Sequence, residues 1–183
     1  MEERPLGRSD EGGMIMDKVS QFYDIIKKNM GVTLATASNQ NVSMRTVSPV
    51  YYEGNILIFT DPNSRKYQQL KDNPNCCIAA GDFFAEAKAE CLGATMSDGN
   101  EKLRQVYCGK FPGAFDEGMA MGGRDAEFIL LKPVKLKGWA FENDIPGPDG
   151  IPAIPFEINM EPGDNCNDWL ASVEKELGQR LCN

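Results

Sequence analysis

The sequence predicts a mostly β, α+β domain: a six- or seven-stranded, mostly antiparallel barrel with helical additions. Three observations point there. Short runs rich in Val, Ile, Thr and Phe alternate with Asn, Gly and Pro turns over much of the chain from Val32 to Phe141, which is strand spacing. Helical periodicity is confined to a few short segments. The chain has 183 residues, one domain's worth, enough to bury a core without disulfides or metals.

The elements follow in order. Residues 1–13 are charged and Gly-rich with little to bury, so residues 1–15 are expected to be a disordered leader. Val19, Phe22, Ile25, Ile26 and Met30 recur at helical spacing from Asp17, and Gly31 ends that helix. Val32 to Thr36 reads as a strand, Asn39-Gln40-Asn41 as a turn, and Val42 to Tyr52 as a second strand. Glu53-Gly54-Asn55 turns the chain into a third strand, Ile56 to Thr60. Asp61-Pro62-Asn63-Ser64 carries turn and cap chemistry before a helix from about Ser64 to Lys71. Strands at Cys76–Ala80 and 84–96 follow, then a helix from about Asp98 to Tyr107 and a Gly/Met-rich loop over 109–126. Glu127 to Leu131 and Val134 to Phe141 read as two strands separated by a Lys132-Pro133 kink. These elements make a barrel over 16–142. Residues 143–183 read as a Pro-rich wrapping segment, because 144–164 holds five of the eleven prolines, and an amphipathic helix with Trp169, Leu170, Val173 and Leu177.

Composition excludes several functions. A formal net charge of −8 argues against general nucleic-acid affinity, although a local basic cluster can still hold one phosphate. No apolar run reaches the ~18 residues of a membrane span, and no basic-then-apolar start marks a secretory signal. The six cysteines form no Cys-x-x-Cys pair, so they read as reduced thiols of a cytoplasmic protein, with no metal expected. There is no histidine, which removes Ser-His-Asp and Cys-His catalysis and most zinc hydrolase sites.

Three features could carry chemistry. In Thr60-Asp61-Pro62-Asn63-Ser64-Arg65-Lys66 a strand ends, a tight loop follows, and a helix starts with two cations in its first turn. Unpaired N–H groups and the helix dipole attract anions there, and cations at that end cost some stability that an anion would offset. The same pattern also describes a solvated helix start. Arg45 lies mid-strand on the face of Ser43 and Val47, and Pro49 implies an edge or bulge just beyond it. Trp139, near a strand end, fits either core packing or a ligand contact.

Taken in order, these residues resemble the pyridoxamine 5′-phosphate oxidase-like family of FMN-binding split barrels. Arg45 matches the arginine of the family's second strand. Phe59-Thr60 matches the aromatic-Thr pair that ends the third, and Ser64-Arg65-Lys66 follows at the family's interval. Pro133-Val134 to Trp139 matches the final strand, whose tryptophan approaches the flavin. The resemblance covers about 16–141 and implies an antiparallel split β-barrel with flanking helices. It implies that Arg45, Arg65 and Lys66 hold the FMN phosphate, with Ser64 beside them. The backbone of Thr46, Val47, Ser48 and Val50 would run along the isoalloxazine, and Phe59 and Thr60 would sit close to it. It also implies a homodimer with the cofactor at the subunit interface, so that Trp139 reaches the flavin of the other subunit.

The departures narrow the function. Pyridoxamine phosphate oxidases carry a substrate-phosphate lysine where this chain has Val50, and a late Arg-x-His pair that a chain without histidine cannot have. Lys88 falls where the family has a flavin-contacting glutamine; a cation there would raise the flavin potential, unless Lys88 is simply an exposed strand residue. The expected function is therefore an FMN-dependent oxidoreductase on an unidentified small substrate or electron donor, with the vitamin B6 reaction disfavoured. The alternative is a non-catalytic flavin or deazaflavin carrier. Haem, which some relatives bind, is disfavoured by the missing histidine. Tyr51, Tyr107 and Cys108 are acid–base candidates by residue type alone, and 109–126 and 144–164 could roof the site.

Overall fold

The computed structural model describes residues 8–116, 125–140 and 154–160. Helix α1 (Arg8–Lys28) comes first and starts earlier than the Asp17 expected from its periodicity. Val19, Phe22, Tyr23 and Ile26 form its buried stripe, the i, i+3, i+4, i+7 spacing of a helix face. The tyrosine hydroxyl of Tyr23 donates to the Gly54 carbonyl at 2.5 Å and pins the helix across the barrel. The helix stops at Lys28, and Met30, expected on its apolar face, is exposed.

Eight strands are described, more than the six or seven expected: β1 (Val32–Ser38), β2 (Asn41–Val47), β3 (Val50–Tyr52), β4 (Asn55–Thr60), β5 (Asn75–Ala80), β6 (Phe83–Ala94), β7 (Glu127–Ala140) and β8 (Ile154–Asn159). Every pairing is antiparallel. Asn39-Gln40 and Glu53-Gly54 turn the first two hairpins with both central residues at positive φ, the conformation that suits two-residue hairpin loops. Helix α2 (Arg65–Asp72) lies between β4 and β5. A 3₁₀ turn at Asp98–Asn100 leads into helix α3 (Glu101–Lys110).

The strand order is β2-β1-β5-β6-β7-β4-β3, with β8 pairing β7. The two outermost strands are consecutive in sequence. The single strand expected over 42–52 is thus two strands, and the break falls at Ser48-Pro49. A proline there has no N–H to give a ladder, so the chain leaves β1 and crosses to β4. That crossing closes the sheet by covalent connection, and no ladder joins β2 to β3 among the described residues.

The long β6–β7 ladder explains two other corrections. Glu127–Ala140 is one strand, not two; the Lys132-Pro133 kink is a bulge that leaves Val134 unopposed between Ala87↔Pro133 and Glu86↔Lys135. A second bulge leaves Leu92 unopposed on β6. Bulges increase local twist, which lets the sheet curl into a barrel. The segment expected to wrap rather than pair contributes β8, whose Pro155 sits opposite Trp139 on a strand paired along one side only. The expected helix around Trp169 lies outside the described residues.

β4 is buried on both faces and so divides two cores. Ile56 and Ile58 face the barrel interior with Phe22, Leu34, Ile78, Ile129 and Leu131. Leu57 and Phe59 face the other way, against Leu103, Tyr107, Phe128 and Leu130 beneath α3. In that second core Phe59 and Tyr107 meet edge to face, with centroids 4.9 Å apart. This pair stands beside the crossing.

Candidate functional site

Two loops converge where the barrel is split. The first follows Thr60. The Asn63 amide donates to Asp61 Oδ1 at 2.7 Å and the Ser64 amide to the Asp61 carbonyl at 3.0 Å, so the turn is set by its own first residue. Ser64 then caps α2: its Oγ accepts from the Tyr67 amide at 3.4 Å and lies 3.1 Å from Thr60 Oγ1. The first turn of α2 holds no acidic residue; Arg65 is exposed and Lys66 is half-buried. The second loop is the Ser48-Pro49 crossing. Tyr107 Oη donates to the Ser48 carbonyl at 2.9 Å, and Lys110 Nζ to the Pro49 carbonyl at 2.7 Å. Lys110 also donates to Ile26 and Asn29 carbonyls, both at 2.6 Å, which ties the end of α1 to the crossing.

Between the loops lies a cavity of about 430 Å³ lined by Thr46, Val47, Ser48, Phe59, Thr60, Asp61, Ser64, Lys66 and Tyr107. That volume is in the ~300–1,000 Å³ range of small-molecule sites. Burial, and then the neighbouring Arg45 guanidinium, pull the Lys66 ammonium below the ordinary lysine range, with Asp61 acting weakly the other way. Burial and then Arg65 likewise lower Arg45. None of these three cations makes an ion pair among the described residues. Lys66 and Asp61 are thus the charged residues of the wall, and Arg45 lies close enough to Lys66 to add positive charge there, inside a protein of net charge −8.

Seven of the twelve residues singled out from sequence line this cavity, namely Thr46, Val47, Ser48, Phe59, Thr60, Ser64 and Lys66. Arg45 is close enough to Lys66 to lower its pKa, and Arg65 close enough to Arg45 to lower that of Arg45, but neither arginine is in the wall. Three lie elsewhere. The Val50 side chain is buried against Leu57 in the core beneath α3. Lys88 is exposed on β6 between Asn75 and Lys132. Trp139 is 51% exposed on β7 opposite Pro155. Of the acid–base candidates, Tyr107 alone lines the cavity; burial raises its hydroxyl pKa. Tyr51 instead packs edge-on against Tyr23, at 5.0 Å, in the barrel core.

Sequence reasoning missed Asp61, Gln69 and Lys110. Asp61 was read as turn chemistry only. Gln69 looks like a polar helix residue, and the sequence offers no sign that it is buried. Lys110 falls in the segment expected to be loop, whereas α3 runs on to include it, and its partners are far away in the chain. A second cavity of about 420 Å³ opens on the other side of β1 and β5, walled by Ala35, Ala37, Val42, Cys77 and Val134. Its only charged wall residue is Glu86, so it offers no anion site. Among the described residues no three His, Cys, Asp or Glu side chains gather as a metal site, and no helix is long and apolar enough to cross a membrane.

No family model matches the chain. It is 25% identical over 157 residues to the pyridoxine/pyridoxamine 5′-phosphate oxidase of Vesicomyosocius okutanii, covering 79% of this chain and 71% of that protein. Its fold is that of the haem storage protein HutZ of Vibrio cholerae, at TM-score 0.56 and 15% identity over 69% of this chain and 97% of that one. A FAD-binding protein of Mesorhizobium loti superposes at TM-score 0.50 and 14% identity, covering 64% and 90% of the two chains.

Proposed function

We propose that this chain is a pyridoxamine 5′-phosphate oxidase-like split barrel that stands apart from the oxidases themselves, that it binds FMN in the cavity between the crossing and α2, and that it serves as an FMN-dependent oxidoreductase. One observation carries the reading. Lys66, a half-buried cation with no hydrogen-bond or ion-pair partner among the described residues, stands in the wall of a cavity that Val47, Phe59 and Tyr107 also line. A phosphate joined to an aromatic ring system suits a wall that pairs a cation with apolar and aromatic side chains.

In that arrangement Lys66, Ser64 and Thr60 hold the phosphate, and Arg45 and Arg65 add charge. The Thr46-to-Ser48 backbone and the Phe59 ring border the isoalloxazine. Bound FMN would carry hydride or electrons between a reduced donor and a small organic acceptor. Tyr107 fixes the Ser48 carbonyl at the cavity edge and keeps its own proton at neutral pH. The departures at Val50 and the absence of histidine point to a substrate other than a B6 vitamer.

A neighbour named as a haem storage protein raises haem as a second reading. The absence of any histidine to ligate haem iron favours FMN. We further propose a cytoplasmic homodimer, supported by the free thiols of Cys76, Cys77, Cys91 and Cys108 and by exposed Val42, Met44 and Trp139. In such a dimer Trp139 would reach the flavin of the second subunit, and Lys88 would be the other exposed candidate for a flavin contact. Purified protein should carry visible flavin absorption or acquire it from added FMN, bleach anaerobically with a nicotinamide reductant, and sediment as twice 20.2 kDa. Protein that takes up haem but no FMN would overturn the cofactor. FMN that no donor reduces would make the protein a carrier.

A further inference from the structure

Arg45 is held more tightly than a ligand-gripping arginine needs to be. A guanidinium has five N–H donors. Arg45 Nη1 donates to the Leu34 carbonyl at 3.2 Å and to Thr36 Oγ1 at 2.6 Å; Nη2 donates to Ser43 Oγ at 2.8 Å and to Gln69 Oε1 at 3.3 Å. Four of the five donors are thus engaged inside the protein, and among the described residues only Nε–H remains.

Gln69 organises this arrangement. The hydroxyls of Thr36 and Ser43 accept from Arg45 and pass their own hydrogens to Gln69 Oε1, both at 2.7 Å. The Gln69 Nε2 group donates to the Asn41 carbonyl at 2.9 Å, which fixes the direction of the amide. Gln69 is 6% exposed and Thr36 2%, while Ser43 and Arg45 are half-buried, so the Gln69 side of the ring is shielded from water. A mutually satisfied network of this kind holds one geometry. Lys66 is the opposite case, with no partner among the described residues and a place in the cavity wall.

We infer that Gln69 is a positioning residue that locks Arg45 as a fixed charge behind the cavity, so that Lys66, not the arginine fork, grips an incoming phosphate. The division of labour rests on the phosphate-binding reading above. Its structural half, a locked guanidinium, does not. The choice of a glutamine also follows from charge. A carboxylate in the same place would pair with Arg45 and cancel the potential the cavity needs, whereas a neutral amide accepts the same hydrogen bonds and leaves the charge uncancelled.

The experiment compares full-length wild type, Lys66→Met, Arg45→Lys, Gln69→Glu and Gln69→Leu in two measurements. Titration with FMN and with riboflavin isolates the phosphate's share of affinity as a ratio. Lys66→Met is expected to lower the ratio tenfold or more and Arg45→Lys less than threefold. Gln69→Glu should lower it at least fivefold with riboflavin affinity kept. A purely structural glutamine would lose FMN and riboflavin affinity together and leave the ratio unchanged. If Arg45→Lys costs as much of the ratio as Lys66→Met, or Gln69→Glu costs nothing, the inference fails. The guanidinium NMR spectrum of Arg45 needs no ligand. Separate Nη resonances in wild type that merge in Gln69→Leu support the lock, and a freely rotating wild-type guanidinium overturns it. A chain that binds neither flavin yet shows the locked spectrum would sink the FMN reading and leave Gln69's role standing.

Discussion

Lys66 and Lys110 are both half-buried and both held below the ordinary lysine range by burial, yet the fold treats them in opposite ways. Lys110 ends α3 among three backbone carbonyls, from Ile26, Asn29 and Pro49, at 2.6–2.7 Å. Its ammonium is solvated by protein and ties α1, α3 and the crossing into one piece. Lys66 starts α2, where the helix dipole repels it, and finds no acceptor among the described residues. A buried charge without partners costs stability, so a site that keeps one is arranged for something else to supply the partner. One lysine is structural and the other is kept available.

Substituting each lysine tests the contrast most severely. Lys110→Met removes three charge-assisted hydrogen bonds and leaves the partly buried Ile26 and Pro49 carbonyls unpaired, so urea unfolding should show a loss of about 2–4 kcal/mol. Lys66→Met should leave stability unchanged or slightly higher while FMN affinity falls by about 1.5–3 kcal/mol, the worth of a hydrogen bond to a charged group. A stability loss at Lys66 equal to that at Lys110 would erase the distinction.

The pH dependence sharpens it. Lys66 has a lower pKa in the folded protein than the ordinary lysine value, so its proton is disfavoured there. Without ligand, its contribution to stability improves as pH rises from the folded value toward the ordinary one. A bound dianion reverses the preference and draws the proton back. FMN affinity should therefore fall as pH rises through the free-protein value, earlier than an ordinary lysine would dictate. Lys66→Arg, charged throughout, should flatten that slope, and equal slopes in isothermal titration would assign the effect to another group. Tyr107→Phe is the smallest change. It frees the Ser48 carbonyl at the cost of about 1 kcal/mol and should alter flavin affinity by only a few-fold.

How far the sequence could be read depends on how local each cause is. The hairpin turns, the α2 cap and the alternation that sets Arg45 on the face of Ser43 and Val47 are decided within a few residues, and the structure has them as expected. The break at Ser48-Pro49 was half visible: Pro49 signalled an interrupted ladder, while the switch of partner from β1 to β4 depends on strands far apart in sequence. The bulge at Val134 looked like a strand end because a ladder's register is a property of two strands. Gln69 was invisible for the same reason. Its three donors come from β1 and β2, and nothing on its own helix distinguishes it from exposed Gln68.

The crossing has one more consequence. Because β2 and β3 share no ladder, the seam between them can part without breaking a row of hydrogen bonds, while Ser48 and Pro49 keep its two lips within a short tether. Among the described residues, Tyr107 and Lys110 donate the side-chain hydrogen bonds that span from α3 to the crossing. The aperture beside the cavity is thus set by two side chains of α3 and not by a ladder. Amide exchange near Val47 and Val50 should therefore rise in Lys110→Met and Tyr107→Phe.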